Sequence, residues 1–256
     1  TAKKIVSEAN NEEDNGVAVI PNKEQLLLPI SKISNIQALL DFGILIRNPK
    51  STNPISILSV IPQDNQTESK ILKTKTELDR FVQQGAAADV PVHLITSIDH
   101  NISGGITRVS QEIMADCLII GWTEKSGGLI DMLVETNMKK IIRNIEKNIF
   151  ICRFKYQLIQ SKRIVLLTPP FAEQESGFHY WVLKLIKLSK ELSIQIDHFG
   201  DIKTNLRIQN LFKNHYSINH IHFHLFEDWH NYSLLFNEIQ EKDLIVVVTS
   251  RNGFAS

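Results

Sequence analysis

The stretch Ala115–Gly128, "ADCLIIGWTEKSGG", decides the fold. Its apolar first half ends on Gly121, is followed by Trp122, and passes into a polar run rich in small residues. A short apolar run bounded in this way is a strand buried on both faces, and ligands are held where such a strand meets its loop. Beyond the loop, Leu129, Met132, Leu133, Ile141, Ile142 and Ile145 recur at helical spacing. The stretch is therefore the β–loop–α step of a parallel sheet covered by helices.

The same alternation extends in both directions. Upstream, "QLLLPIS" (Gln25 to Ser31), "PISILSVI" (Pro54 to Ile61) and "VPVHLITSI" are strands. Between them, Ser34 can cap a helix carrying Ile36, Leu39, Leu40, Gly43 and Ile44 on one face. A longer charged helix turns Leu78, Phe81 and Val82 inward and ends near Ala88, and Ile106, Val109 and Ile113 mark a third. Downstream, "NIFICRF" closes the unit.

The pattern then restarts. "KRIVLLTPP" (Lys162 to Pro170) matches "KEQLLLPIS", and "KDLIVVVTSRNG" (Lys242 to Gly253) matches "ADCLIIGWTEKSGG". Between them lie a helix striped by Phe178, Trp181, Val182, Leu185 and Leu188 and two strands, "IQIDHF" and "INHIHFHLF". This is a duplicated α/β unit. The domains expected are a linker over 1–24, a first unit over 25–156 and a second over 161–256. The second is incomplete, with no counterpart of the first unit's last helix and strand.

Composition narrows the function. The chain has 256 residues, 43% of them hydrophobic and 22% charged, as in ordinary globular proteins. Lys plus Arg and Asp plus Glu both number 28, so no global field favours nucleic acid. Cys117 and Cys152 sit inside apolar runs, as inert thiols do. No run of about 18 apolar residues exists to span a bilayer. "TAKKIVSEANNEEDNGVAVIPNKEQ" reads as a polar linker behind a domain not included here.

The first unit resembles the universal stress protein family, a Rossmann-like (HUP-type) fold with strand order 3-2-1-4-5. Its nucleotide-binding members carry a glycine after strand four, two residues, a second glycine, nine residues, then glycine and a hydroxyl residue. Glycines let backbone amides approach phosphates, and the hydroxyl adds a donor. Here Gly121 and Thr136 keep their places, but Glu124 and Glu135 replace the glycines, and Ser31 stands where nucleotide binders end strand one on an acid. Two desolvated carboxylates beside a triphosphate argue against ATP. The ligand cleft implied is Ser31, Gly121, Trp122, Thr123, Lys125, Ser126, Gly127 and Thr136, open to a different nucleotide or an anion.

A second resemblance covers nearly the whole chain. "LLLPISKISNIQALLDFGILIR", "AAADVPVHLIT", "DHNISGGITRVSQE", "IIGWTEKS", "RIVLLTPPFAEQESGF" and "DLIVVVTSRNG" are similar to the cytosolic C-terminal region of cation:proton antiporters, which carries tandem stress-protein-like domains. The resemblance implies a regulatory or assembly region at the cytoplasmic face of the inner membrane, not an enzyme. Its partners would be the transport domain of the same polypeptide and a second copy, paired through strand-five edges. No cofactor is implied. The alternative is a stand-alone tandem universal stress protein that binds adenine nucleotide.

Weaker signals remain. His220, His222 and His224 alternate in "NHIHFHLF", so one strand face could bind a metal or sense pH. "GGITR" (Gly104 to Arg108) opens a helix and could offer amides to an anion. "SGGLID" resembles the pyrophosphate loop of ATP pyrophosphatases but follows strand four instead of strand one. Trp122 and Trp181 suit packing better than ligand stacking.

Overall fold

The computed structural model describes residues 23–30, 36–63, 67–122, 129–215, 220–226, 229, 235 and 237–251. The decisive stretch is a strand, β4 (Cys117–Gly121), in a parallel sheet with β1 (Leu26–Ile30), β2 (Ile55–Pro62), β3 (Val92–Asp99) and β5 (Asn148–Cys152). The order is β3-β2-β1-β4-β5, as expected. Alternate residues feed opposite faces, which is why both must be apolar. Leu26, Leu28, Ile55, Ile57, Cys117 and Ile119 meet helices α1 (Ile36–Ile46) and α2 (Thr67–Ala87). Leu27, Leu58, Leu118 and Ile120 meet α3 (Ile102–Glu112) and α4 (Leu129–Asn144).

Two details depart from the helical-stripe reading. In α2, Leu78 and Phe81 are buried but Val82 is exposed. The inward place belongs to Gly85, where a Cβ would lie 2.3 Å from Val92 Cγ2. Only hydrogen lets α2 approach β3 so closely. Ser34, the expected cap of α1, lies outside the described residues.

A second parallel sheet runs β8-β7-β6-β9, from β6 (Arg163–Leu167), β7 (Gln195–Gly200), β8 (Ile221–Leu225) and β9 (Leu244–Val247). Its helices are α5 (Phe178–Leu192) and α6 (Ile202–His215). Helix α6 goes unmarked in the sequence reading. Its signal is modest, with Thr204, Ile208, Leu211 and Phe212 inward among polar residues, and Asp201 starts it by accepting from the amides of Lys203 (2.7 Å) and Thr204 (2.9 Å).

The repeat is chemical as well as topological. Asp116, before β4, accepts from the Gln25 amide at 2.8 Å. Its counterpart Asp243, before β9, takes Arg163 Nε (3.1 Å) and Nη2 (2.9 Å), and Arg163 Nη1 also reaches Asp197 at 2.5 Å. The two sheets are not independent. One core cluster runs from β1, β2 and β4 through α1 into α5, α6 and the strands of the second sheet.

Candidate functional site

The cleft expected from the sequence lies beyond the carboxyl ends of β1 and β4. The two strands pair only at Leu26↔Cys117 and Leu27↔Leu118, whereas β1 and β2 stay paired from Leu27 to Ile30. Pro29, which has no N–H, comes after the last residue of β1 that pairs with β4 and cannot extend that ladder. Of the cleft residues read from the sequence, the structure places Gly121, Trp122 and Thr136. Ser31, Thr123, Lys125, Ser126 and Gly127 lie outside the described residues, as does Glu124.

What is placed looks structural. A Cβ on Gly121 would come within 3.0 Å of Leu39 Cδ1, so this glycine has a packing reason independent of any phosphate. Trp122 is half-buried against the core under α3 and α4, and its backbone N–H donates to the Cys152 carbonyl at 2.7 Å. Thr136 is exposed on α4. Gly121 and Trp122 offer a ligand no charge.

The secondary anion candidate caps itself. Asn101 Oδ1 accepts from the Gly104 amide at 2.7 Å, and Asp99 lies beside the same turn, 3.3 Å from a Cβ built on Gly104. Arg108 turns back to Asp99 and Glu112. The bonded Gly104 amide is not free to donate to an anion, and the Asp99 carboxylate beside it repels one.

The three histidines divide. His222 and His224 are exposed on β8, and His220 precedes the strand. His222 Nδ1 lies 3.2 Å from Asp197 Oδ1, while His224 stacks on Phe199 with ring centroids 4.5 Å apart. Among the described residues no group of three His, Cys, Asp or Glu converges as metal ligands would.

The polar groups with the most defined surroundings are ones the sequence reading passes over. His198, fully buried on β7, lies 2.8 Å from Thr168 Oγ1 and 2.6 Å from Asn205 Oδ1. Burial pushes its pKa from 6.5 down to about 4, so the ring is neutral at pH 7. Nδ1–H then donates to Asn205, and Nε2 accepts from the Thr168 hydroxyl. Gly200 is required here, since a Cβ would lie 2.5 Å from Thr168 Oγ1. Both ring nitrogens are committed, which suits a rigid strut better than a proton carrier.

A second cluster joins the sheets. Glu24 and Lys184 form an ion pair whose side chains are both 0% exposed. Tyr180 Oη donates to Glu24 Oε1 at 2.6 Å, the Asn48 amide donates to Oε2 at 2.8 Å, and Lys184 Nζ donates to the Ile46 carbonyl at 2.9 Å. Lys187 adds a bond to the Leu45 carbonyl at 2.8 Å. Burial holds the Lys184 ammonium below its usual range, against the pull of Glu24. Cys117, beneath the cluster, is buried, and burial pushes its thiol pKa up to about 12. Glu24, the last residue of the expected linker, is thus a buried anchor. A legible signal was Lys184 itself, one turn from Trp181 and Leu188 on the apolar stripe of α5.

No protein-family model matches the chain. A curated relative, the Na(+)/H(+) antiporter NhaS5 of Synechocystis sp., is 26% identical over 137 residues, 50% of this chain and 20% of that protein. The match thus spans about a fifth of the relative's length. Among solved structures, a universal stress protein from Archaeoglobus fulgidus DSM 4304 superposes with a TM-score of 0.50 at 16% identity, covering 84% of this chain and 83% of that one. Another universal stress protein from Archaeoglobus fulgidus covers 51% of this chain and 98% of its own, with a TM-score of 0.43 at 13% identity. The fold is that of universal stress proteins. No described helix is long and apolar enough to cross a membrane.

Proposed function

We propose that this chain is a regulatory or assembly region of a monovalent cation:proton antiporter, lying at the cytoplasmic face of the inner membrane. The observation that carries the reading is the 137-residue similarity to an Na(+)/H(+) antiporter. In this reading the chain itself catalyses nothing, and ion exchange belongs to a transport domain elsewhere in the polypeptide. Its contribution is coupling. A ligand or partner that prefers one arrangement of the two sheets shifts the exchanger's equilibrium by no more than that preference. The Glu24–Lys184 cluster supports the reading, because it links the two sheets and gives a change at one a route to the other.

The ligand proposed for the carboxyl ends of β1 and β4 is of nucleotide type, and the glutamates at 124 and 135 argue against ATP. The second reading, a stand-alone stress protein binding adenine nucleotide, draws on the fold likeness alone.

The test is sodium-driven proton exchange in everted membrane vesicles, comparing the full reading frame that contains this chain with one lacking residues 25–251. Exchange should persist in the shortened protein with an altered dependence on pH or sodium. Identical profiles would remove the regulatory reading. Thermal melting with ATP, AMP, cAMP and cyclic dinucleotides separates the two readings, since a ligand at a hundred times its Kd adds about 2.7 kcal/mol. Stabilisation by ATP favours the stand-alone stress protein.

A further inference from the structure

The two sheets differ by one position. The first runs 3-2-1-4-5, while the second runs 3-2-1-4 and, among the described residues, leaves the place beside β9 without a strand. A groove of about 320 Å³ lies at that place, with β5 along one wall and β9 along the other.

Backbone direction shows what the groove offers. The Val248 amide donates to Leu167, so Leu244, Val246 and Val248 turn their peptide groups toward β6, and Ile245 and Val247 turn theirs away. On β5, the Cys152 carbonyl accepts from Trp122, so Asn148, Phe150 and Cys152 face β4, and Ile149 and Ile151 face away. Among the described residues both walls are therefore open sheet edges, which a strand satisfies and a helix does not.

Side chains agree. Leu118 and Ile120 on β4 are 0% and 6% exposed, sealed by α4 and by Ile149 of β5. Their repeat counterparts on β9, Ile245 and Val247, are 45% and 55% exposed. The first sheet thus displays the cover that the second lacks. Arg251 spans the groove at one end, donating to the Ile142 carbonyl (2.9 Å) and the Lys147 carbonyl (2.5 Å), and so ties the end of β9 to the approach of β5.

We propose that the groove between β5 and β9 is a strand-acceptor slot. Its occupant is one extended polypeptide segment of the β5 pattern, apolar at alternate positions, running parallel to β9 as β5 runs parallel to β4. Its main chain pairs with the outward groups of Ile245 and Val247, and its apolar side chains cover those two residues.

The probe is a labelled peptide with the sequence of Lys147–Phe154 and the change Cys152→Ser. Fluorescence anisotropy should show saturable binding to the intact chain, with hydrogen exchange at the Ile245 and Val247 amides slowed at least tenfold. Val247→Pro removes a donor that points away from β6, so the fold should survive and peptide affinity should fall at least tenfold. Val247→Ala, which keeps the amide, should bind within about threefold of the parent. A peptide with asparagine at both isoleucines should not bind. Four results would overturn the proposal: no saturable binding at millimolar peptide, binding without slowed exchange at those two amides, equal binding by a folded Val247→Pro chain, or slowing that follows protein concentration without peptide. The last would mean that a second copy covers the edge. Because exchange is read on the unaltered chain, the test survives a proline variant that fails to fold.

Discussion

Replacing Lys184 by methionine tests whether the sheets are joined by a buried charge pair. Met fills similar space but leaves the fully buried Glu24 carboxylate with the Tyr180 hydroxyl and the Asn48 amide as hydrogen-bond donors and Arg47 as the cation still near it. Breaking one side of a buried pair costs about 3–5 kcal/mol. A ceiling applies at pH 7, because a lone buried carboxylate can take up a proton instead. For a glutamic acid of ordinary pKa near 4.3, that costs about 3.7 kcal/mol. The expected loss at pH 7 is therefore about 3–4 kcal/mol, or a melting temperature lower by roughly 6–16 °C in a chain of this size.

The sign of the pH dependence follows. If the variant's native state holds a proton that its unfolded chain releases above pH 4.3, its deficit grows with pH. It should be small near pH 4.5 and rise by about 1.4 kcal/mol per unit toward pH 7. Adding Glu24→Gln should recover most of the loss, since no uncompensated charge remains. Urea titrations at pH 4.5, 5.5 and 7 measure all three quantities. A deficit below about 1 kcal/mol at pH 7 would show that the pair does not hold the sheets together, and a larger deficit constant across that range would show that the carboxylate stays ionised.

Two further stability measurements test other buried contacts. His198 is neutral in the native state and titrates at about 4 instead of 6.5. The unfolded chain therefore binds the extra proton first, and stability is lost as pH falls from 6.5 to 4, by about 3 kcal/mol in total. His198→Gln should flatten that part of the profile in urea titrations, and an unchanged slope would assign it to other groups. Gly85→Ala would set a Cβ 2.3 Å from Val92 Cγ2 and 2.6 Å from the Val90 carbonyl oxygen, and should cost about 1–3 kcal/mol in thermal melting.

Much of the fold was legible because burial on both faces leaves a strong local mark. "LLLPI", "ISILSVIP", "CLIIG" and "RIVLL" could be little other than inner strands, and their spacing exposed the repeat. Helix α6 was less legible because its inward residues include Thr204 and are diluted by Lys, Arg, Asn and Gln. The cleft was legible only as a pattern. Gly121 carries the same letter whether it admits a phosphate or accommodates Leu39, and the structure supplies the second reason.

Sequence by itself determined the strands and their parallel arrangement, because both follow from the periodic separation of apolar from polar residues. Tertiary structure alone decided which charges are buried, and that one core serves both sheets. Glu24 and Tyr180 stand 156 positions apart, and neither letter records the other. A buried charge is tolerable only where its partners converge in space; local pattern marks Lys184 on the apolar stripe of α5 but not the partner it meets.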